Sequence, residues 1–514
     1  MAEKQAEAVA AINMKKITIL TAVLFASLAN AQQDSTVVYK KRVLESTEIE
    51  FLGSYYKQDG SHSAVGGGIG TEKLTDLTSN VILSVPMGDD GVLTVDAGFS
   101  AYTSASSSNI NPFVSDGTVT GINNNGGNTT GASKKLWGEP VNNKDDDDDY
   151  GNSSQTNGVG PYGTPWVEST GASRKDVLTA VSLSYSHSSD DRNQIWSASL
   201  SASKEYDYQS FGVGLGYARL FNNKNTEVSI KASAYLDKWM PIYPTELHEY
   251  SLYGLSFQNS GYFRGVTIVD QYGATTKNYL PKAFHEFENK KRNSYAVSLG
   301  LSQILTKKLQ FSIFMDVLYQ EGLLSTPYHR IYFADKANYY VGKPRYIPIY
   351  TTPENVGLFQ LADDTEKLPD TRFKIPLGAR LNYYINERFV VRTYYRYYAD
   401  DWGLEAHTAN IEIPYKISDR FTVFPMYRFY TQQAVRYFAG YERHYSFERY
   451  YTSDNDLASF DSHQYGFGLS YSDILTSAKI LKFGLKNIDF RYNRYERSDN
   501  LKADIFTIGI KFVQ

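Results

Sequence analysis

From about residue 47 to the last residue, the dominant pattern along the chain is alternation of apolar and polar residues with a period of two. It runs in segments of roughly ten residues separated by turn residues. In "LQFSIFMDVLY", from Leu309, one face carries Leu309, Phe311, Ile313, Met315, Val317 and Tyr319. The other carries Gln310, Ser312, Phe314, Asp316 and Leu318. "FGVGLGY", from Phe211, sets Phe211, Val213, Leu215 and Tyr217 against three glycines. "RFKIPLGARLNYY", from Arg372, sets Phe373, Ile375, Leu377, Ala379, Leu381 and Tyr383 against Arg372, Lys374, Gly378, Arg380 and Asn382. Repeated along the chain, the pattern predicts about sixteen strands (roughly 14–18). They start near Thr47, Thr75, Gly91, Asp176, Asn193, Tyr208, Thr226, Asn293, Lys308, Thr371, Glu387, Leu404, Arg420, His463, Asn487 and Lys502. The expected fold is all-β: one transmembrane antiparallel β-barrel over 47–514.

The connections sort by parity. Even-numbered ones read "MGDDG", "SSDDR", "FNNKN", "ILTKK", "INE", "ISD" and a short link near Asp473. The long ones, 105–175, 239–292, 321–370 and 433–462, are all odd-numbered. A soluble sandwich has no reason to sort its loops this way. An outer-membrane barrel does, with short periplasmic turns and long extracellular loops. The last strand, "DIFTIGIKFVQ", alternates Phe506, Ile508, Ile510 and Phe512, as expected of a segment read by barrel-insertion machinery, although the chain ends in Gln514.

Composition changes the picture in two places. Mean hydropathy is −0.42, which excludes a bundle of membrane helices. It is compatible with a barrel, whose apolar residues face lipid on one side only. The absence of cysteine excludes disulfides and thiolate chemistry, and a net charge of −4 gives no reason to expect a nucleic-acid partner. From Met14, "MKKITILTAVLFASLANAQQ" has a charged start, a short apolar stretch and the small residues Ala29-Asn30-Ala31. It reads as a signal peptide over 14–31, cleaved after Ala31, with 1–13 a spurious extension and 32–46 a periplasmic segment. The expected location is therefore the outer membrane, in contact with its lipids.

The lumen-facing residues differ between the two halves of the barrel. In candidate strands 4 to 8 they are small, including Ser182, Ser184, Ser197, Ser199, Ser201, Gly212, Gly214, Gly216, Ser298 and Gly300. In strands 10, 11 and 13 they are large and basic: Arg372, Lys374, Arg380, Arg392, Arg396 and Arg428. A basic wall can select anionic solutes, as charged walls do in pores. The same arginines could instead pair with Asp316, Glu412, Asp489 or acidic loop residues and brace the barrel. The small-residue wall fits either an open channel or a loop folded inward. The Asp145–Asp149 run fails the EF-hand spacing and reads as a solvated loop tip. His62, His248, His285, His329, His444 and His463 fall in or beside the expected extracellular connections, without the spacing of a metal motif. No nucleophile elbow, zinc-protease or P-loop motif appears. No catalytic residue, metal or cofactor is therefore expected.

The signal, the aromatic strands and the whole-chain layout resemble outer-membrane barrels of Bacteroidota. More narrowly, they resemble the uncharacterised barrel family catalogued as domain of unknown function 3570, over nearly all of 32–514. That resemblance implies a barrel serving an extracytoplasmic redox system, beside a flavin-attaching transferase and a thioredoxin-like protein. Two functions from different classes follow. One is a porin-like channel for small solutes, anions among them. The other is a non-conducting barrel, plugged by its loops, that scaffolds a lipoprotein or redox partner. An outer-membrane enzyme is a third and weaker reading.

Overall fold

The computed structural model of the chain describes residues 42–103, 176–342 (apart from 283, 285 and 289) and 358–514. The expected N-terminal extension, signal peptide and cleavage site, together with the Asp145–Asp149 run and His285, lie outside the described residues.

The main sheet holds eighteen strand segments, of which two, Tyr415–Lys416 and Lys479–Ile480, are two-residue pieces; the other sixteen form the barrel. In chain order these are β1 Glu48–Asp59, β2 Leu74–Met87, β3 Gly91–Tyr102, β4 Asp176–Ser188, β5 Gln194–Lys204, β6 Tyr208–Phe221, β7 Thr226–Trp239 and β8 Lys291–Thr306. There follow β9 Leu309–Gly322, β10 Thr371–Tyr384, β11 Val390–Asp400, β12 Glu405–Glu412, β13 Phe421–Gln432, β14 Phe460–Ser472, β15 Phe483–Arg497 and β16 Lys502–Val513. Each strand pairs antiparallel with its neighbour in sequence. β1 pairs with β16 from Glu48↔Val513 to Asp59↔Lys502, so the cylinder closes and no edge remains.

Every strand start falls close to its expected position; the largest offset is at β15, which begins at Phe483 where the pattern pointed to Asn487. The even strand number puts Glu48 and Val513 side by side at the short-turn end. The long connections that hold described residues, those after β1, β7, β9 and β13, gather at the other end.

The outward face carries large apolar side chains that are exposed all round the cylinder, among them Phe51, Val81, Phe211, Leu215, Leu377, Phe467 and Ile508. A water-soluble protein does not show such a continuous band, and a barrel in hydrocarbon requires one. Among the described residues no helix is long and apolar enough to cross a membrane. The strands make the crossing.

The largest buried cores lie in the connections at the long-loop end. The connection after β7 forms α1 (Thr245–Tyr253) and contributes two strands, Ile268–Asp270 and Thr275–Thr276, to a four-stranded sheet. The connection after β9 completes it with Tyr339–Val341 and Phe359–Gln360. Leu247, Phe257, Phe263, Tyr279, Tyr332 and Phe359 pack into one apolar cluster between these two connections.

A second cluster, Leu324, Leu368, Trp402 and Val435, fastens the connection after β9 to those after β11 and β13. The connection after β1 joins from the far side. Gly67 adopts φ +72°, and a Cβ there would sit 2.6 Å from the Tyr332 ring. Only glycine suits both the backbone and the contact. In a sixteen-strand cylinder the β1–β2 and β9–β10 hairpins stand half a turn apart. Their contact therefore spans the mouth, and the long loops form a roof.

Candidate functional site

The alternation that builds the strands also fixes what faces the lumen. Register places Arg380 beside Tyr394, Tyr394 beside Asn410, and Asn410 beside Arg428. One step toward the short-turn end, Asn382, Arg392 and Glu412 form the next row; one step the other way lie Gly378, Arg396 and Thr408. These residues surround a cavity of about 690 Å³ that is lined by Arg380, Arg392, Arg396, Arg428, Tyr394 and Glu412. Four of the six expected basic residues therefore meet at one wall.

Within this wall, charges are only partly compensated. Glu412 accepts from Arg392 through Oε1 and from Arg491 of β15 through Oε2, each at 2.9 Å. Among the described residues no carboxylate lies within ion-pair distance of Arg380, Arg396 or Arg428. The four arginines lining the cavity face one glutamate, which leaves three positive charges. Arg380 lies over the rings of Phe314 and Tyr394, at 5.3 and 5.6 Å from their centroids, and those rings stack on each other. Gly378 makes the platform possible, since a Cβ there would lie 2.2 Å from Phe314 Cζ.

Arg372 and Lys374 are set apart, toward the roof. Arg372 donates from Nε to Asp400 at 2.9 Å and lies 4.2 Å over the Trp402 ring, whose Nε1 donates to the Thr371 carbonyl. Its side chain is 13% exposed and Asp400 fully buried, so this arginine braces the rim. Lys374 sits opposite Asp400 in register.

The facing wall is as small as the pattern predicts. Ser197, Ser199 and Ser201 stand opposite Gly216, Gly214 and Gly212. The serines are half-buried or exposed along its length.

A second chamber, of about 780 Å³, lies between the strand ends and the roof. Tyr56, Tyr102, Trp239, Arg292 and Tyr495 line it from around the barrel, and Tyr328 and His329 line it from the roof. Its carboxyls, Glu72, Glu205, Asp207, Asp454 and Asp456, outnumber its two arginines, Arg292 and Arg497. Burial pushes Glu205 up to about 7, with help from the charge on Asp207. Burial also raises Glu72. The lumen thus presents an acidic vestibule above a basic wall.

Sequence reasoning missed Arg491 and the Phe314–Tyr394 platform as parts of this site. Arg491 was visible in principle, because "DFRYNRYER" alternates Asp489, Arg491, Asn493 and Tyr495 on one face. The vestibule left no such signal, being assembled from strand ends and loops far apart in the chain.

The chain matches, over residues 14–507, the family described as "Protein of unknown function (DUF3570)". No curated protein matches it. Among solved structures it is similar to a bacterial polysaccharide outer membrane secretin, at 8% identity and a TM-score of 0.37, over 92% of this chain and 99% of that one. It is also similar to a BenF-like porin from Pseudomonas fluorescens Pf-5, at 8% identity and 0.33, covering 92% and 99%. A third is a Pseudomonas aeruginosa FadL homologue, at 8% identity and 0.34, covering 91% and 90%.

Proposed function

From the premise that the chain belongs to the DUF3570 family, whose description assigns no activity, we propose that it is a porin-like outer-membrane channel for small solutes that favours anions. The observation that carries this reading is the wall of Arg380, Arg396 and Arg428, unpaired among the described residues and facing the lumen beside Arg392. A guanidinium stays charged at any working pH, so such a wall sets a standing positive potential. The small Ser/Gly wall opposite leaves width for a hydrated ion. The exposed apolar band argues for residence in lipid, and the alternating C-terminal strand for delivery by barrel-insertion machinery.

Planar-bilayer recording of the purified full chain tests the reading. The reversal potential in a salt gradient should show anion preference, and replacing Arg380, Arg396 and Arg428 together by Gln should abolish it. Unchanged reversal potentials refute the arginine wall as the selective element.

The roof favours a second reading, a closed barrel that scaffolds a lipoprotein or an extracytoplasmic redox partner. Silence in the bilayer, both for the natural chain and for a variant with a loosened roof, would establish that reading over the channel. We take the chain to have no enzymatic activity. Turnover of a lipid ester or peptide by the purified barrel would overturn that.

A further inference from the structure

Where the roof meets the vestibule, three potential metal ligands from two connections converge. His329 and Glu366 come from the connection between β9 and β10, and Asp454 from that between β13 and β14. One ligand atom from each lies within 4.8 Å of the other two. His329 Nδ1 stands 3.5 Å from Glu366 Oε2.

The charge at this point is unbalanced. Glu366 is buried, 2% exposed, and accepts hydrogen bonds from neutral donors: Thr326 N to Oε1 at 2.7 Å and Thr452 Oγ1 to Oε2 at 2.5 Å. Asp454 Oδ1 accepts from Asp456 N at 2.9 Å, again a neutral donor. The nearby guanidiniums are engaged elsewhere, Arg330 with Glu246 and Arg497 with Asp456 and Asp499. Two carboxylates therefore share one imidazole. Carboxylate charge taken out of water is costly unless a cation compensates it.

A separate observation points to a ligand. Among the described residues, His329 Nδ1 is buried and makes no hydrogen bond of good geometry; its contact with Glu366 Oε2 is a loose 3.5 Å ion pair. A buried imidazole nitrogen needs an acceptor for its proton or, when it carries none, a donor or a cation for its lone pair. Thr452 also fits the pattern by which outer groups orient metal ligands: its hydroxyl donates to Glu366 and accepts from the Asp454 amide at 3.1 Å. The ligand carboxylates are thereby held in relation to each other by one buried side chain.

We propose that His329, Glu366 and Asp454 bind a divalent transition-metal cation, Zn²⁺ in the first instance, which ties the roof loops together above the vestibule. One nitrogen and two carboxylate oxygens suit zinc, whose ligand distances are about 2.0–2.2 Å. They suit calcium poorly, since it takes about six to eight oxygen ligands. The three ligand atoms, within 4.8 Å of one another, would draw together around such an ion. His329 and Asp454 also line the vestibule, so any remaining coordination position opens toward it. The site is independent of whether the barrel conducts.

The test is equilibrium dialysis of the full chain in detergent micelles, stripped with a chelator, against ZnCl₂ and separately CaCl₂, with metal counted by mass spectrometry. One Zn²⁺ per chain is expected, with no comparable uptake of Ca²⁺. Proteolysis of the roof should slow when Zn²⁺ is present. His329→Ala and, separately, Asp454→Asn should each weaken Zn²⁺ binding at least tenfold, in chains whose barrel still shows heat-modifiable migration. No Zn²⁺ uptake by the natural chain overturns the proposal. So does uptake that both variants retain undiminished, which would place the metal at other histidines.

Discussion

Arg330 and Glu246 form the most deeply buried charge pair described in the protein. Their side chains are 1% and 0% exposed, and the pairing is bidentate, with Nε to Oε1 at 2.7 Å and Nη2 to Oε2 at 3.1 Å. Glu246 lies in the first turn of α1 and also accepts from the Ala362 amide at 3.2 Å. The pair thus locks the connection after β7 to that after β9. Arg330→Met would keep the volume and strand the carboxylate in an apolar cluster. Breaking a buried pair in this way costs about 3–5 kcal/mol. At 1.4 kcal/mol per tenfold, that raises roof opening by roughly a hundredfold to a few thousandfold. The barrel ladder is untouched, so heat-modifiable migration should persist. Arg330→Met with Glu246→Leu removes both charges and should recover most of the loss, giving a strong coupling in the double-mutant cycle. Hydrogen exchange across 245–253 and 330–341 reads the effect, and bilayer recording of the loosened chain reads its consequence for conduction. The reasoning fails if Arg330→Met leaves exchange unchanged, or if the double variant opens as readily as the single one.

Three further outcomes are expected. Glu412→Gln should increase anion preference in reversal-potential measurements, because it frees Arg392 and Arg491. Their side chains are 54% and 43% exposed, so the stability loss should stay within about 1 kcal/mol. Gly378→Ala should force Phe314 off its seat at a cost of about 1–3 kcal/mol, lowering the temperature of heat-modifiable migration, and Phe314→Ala in the same chain should reverse the shift. Asp363, in the roof, has its carboxyl pushed up by burial from 3.8 to about 7. Between those values the folded roof holds a proton that the unfolded chain has released. Roof stability therefore falls as pH rises from about 4 to about 7, by up to about 1.4 kcal/mol per unit. Protection factors across 330–334, taken relative to the intrinsic exchange rate at each pH, should be higher at pH 5 than at pH 8; the opposite order would show that Asp363 is ionised in the fold.

The barrel was legible because its code is local. A strand needs only its own alternation to declare two faces. The parity of loop lengths declares which end is which, and closure follows from an even count of strands with no dry core. "VVRTYYRYY" shows this at the scale of one strand: Arg392 and Arg396 face the lumen, and Tyr395 is exposed on the outside. The pairing of charges was not local. Arg372 and Arg396 look alike in the pattern, yet one is bound to Asp400 at the rim and the other faces water. Glu412 is shared by Arg392 and by Arg491, 79 residues away. Glu246 and Arg330 are separated by 84 residues, and His329 meets Asp454 only because two loops cross the mouth. Period and composition are properties of a segment, so the sequence alone determined strands, faces and ends. Which charges are neutralised, and how the mouth is closed, depends on loops meeting through space, and only the tertiary structure decided it.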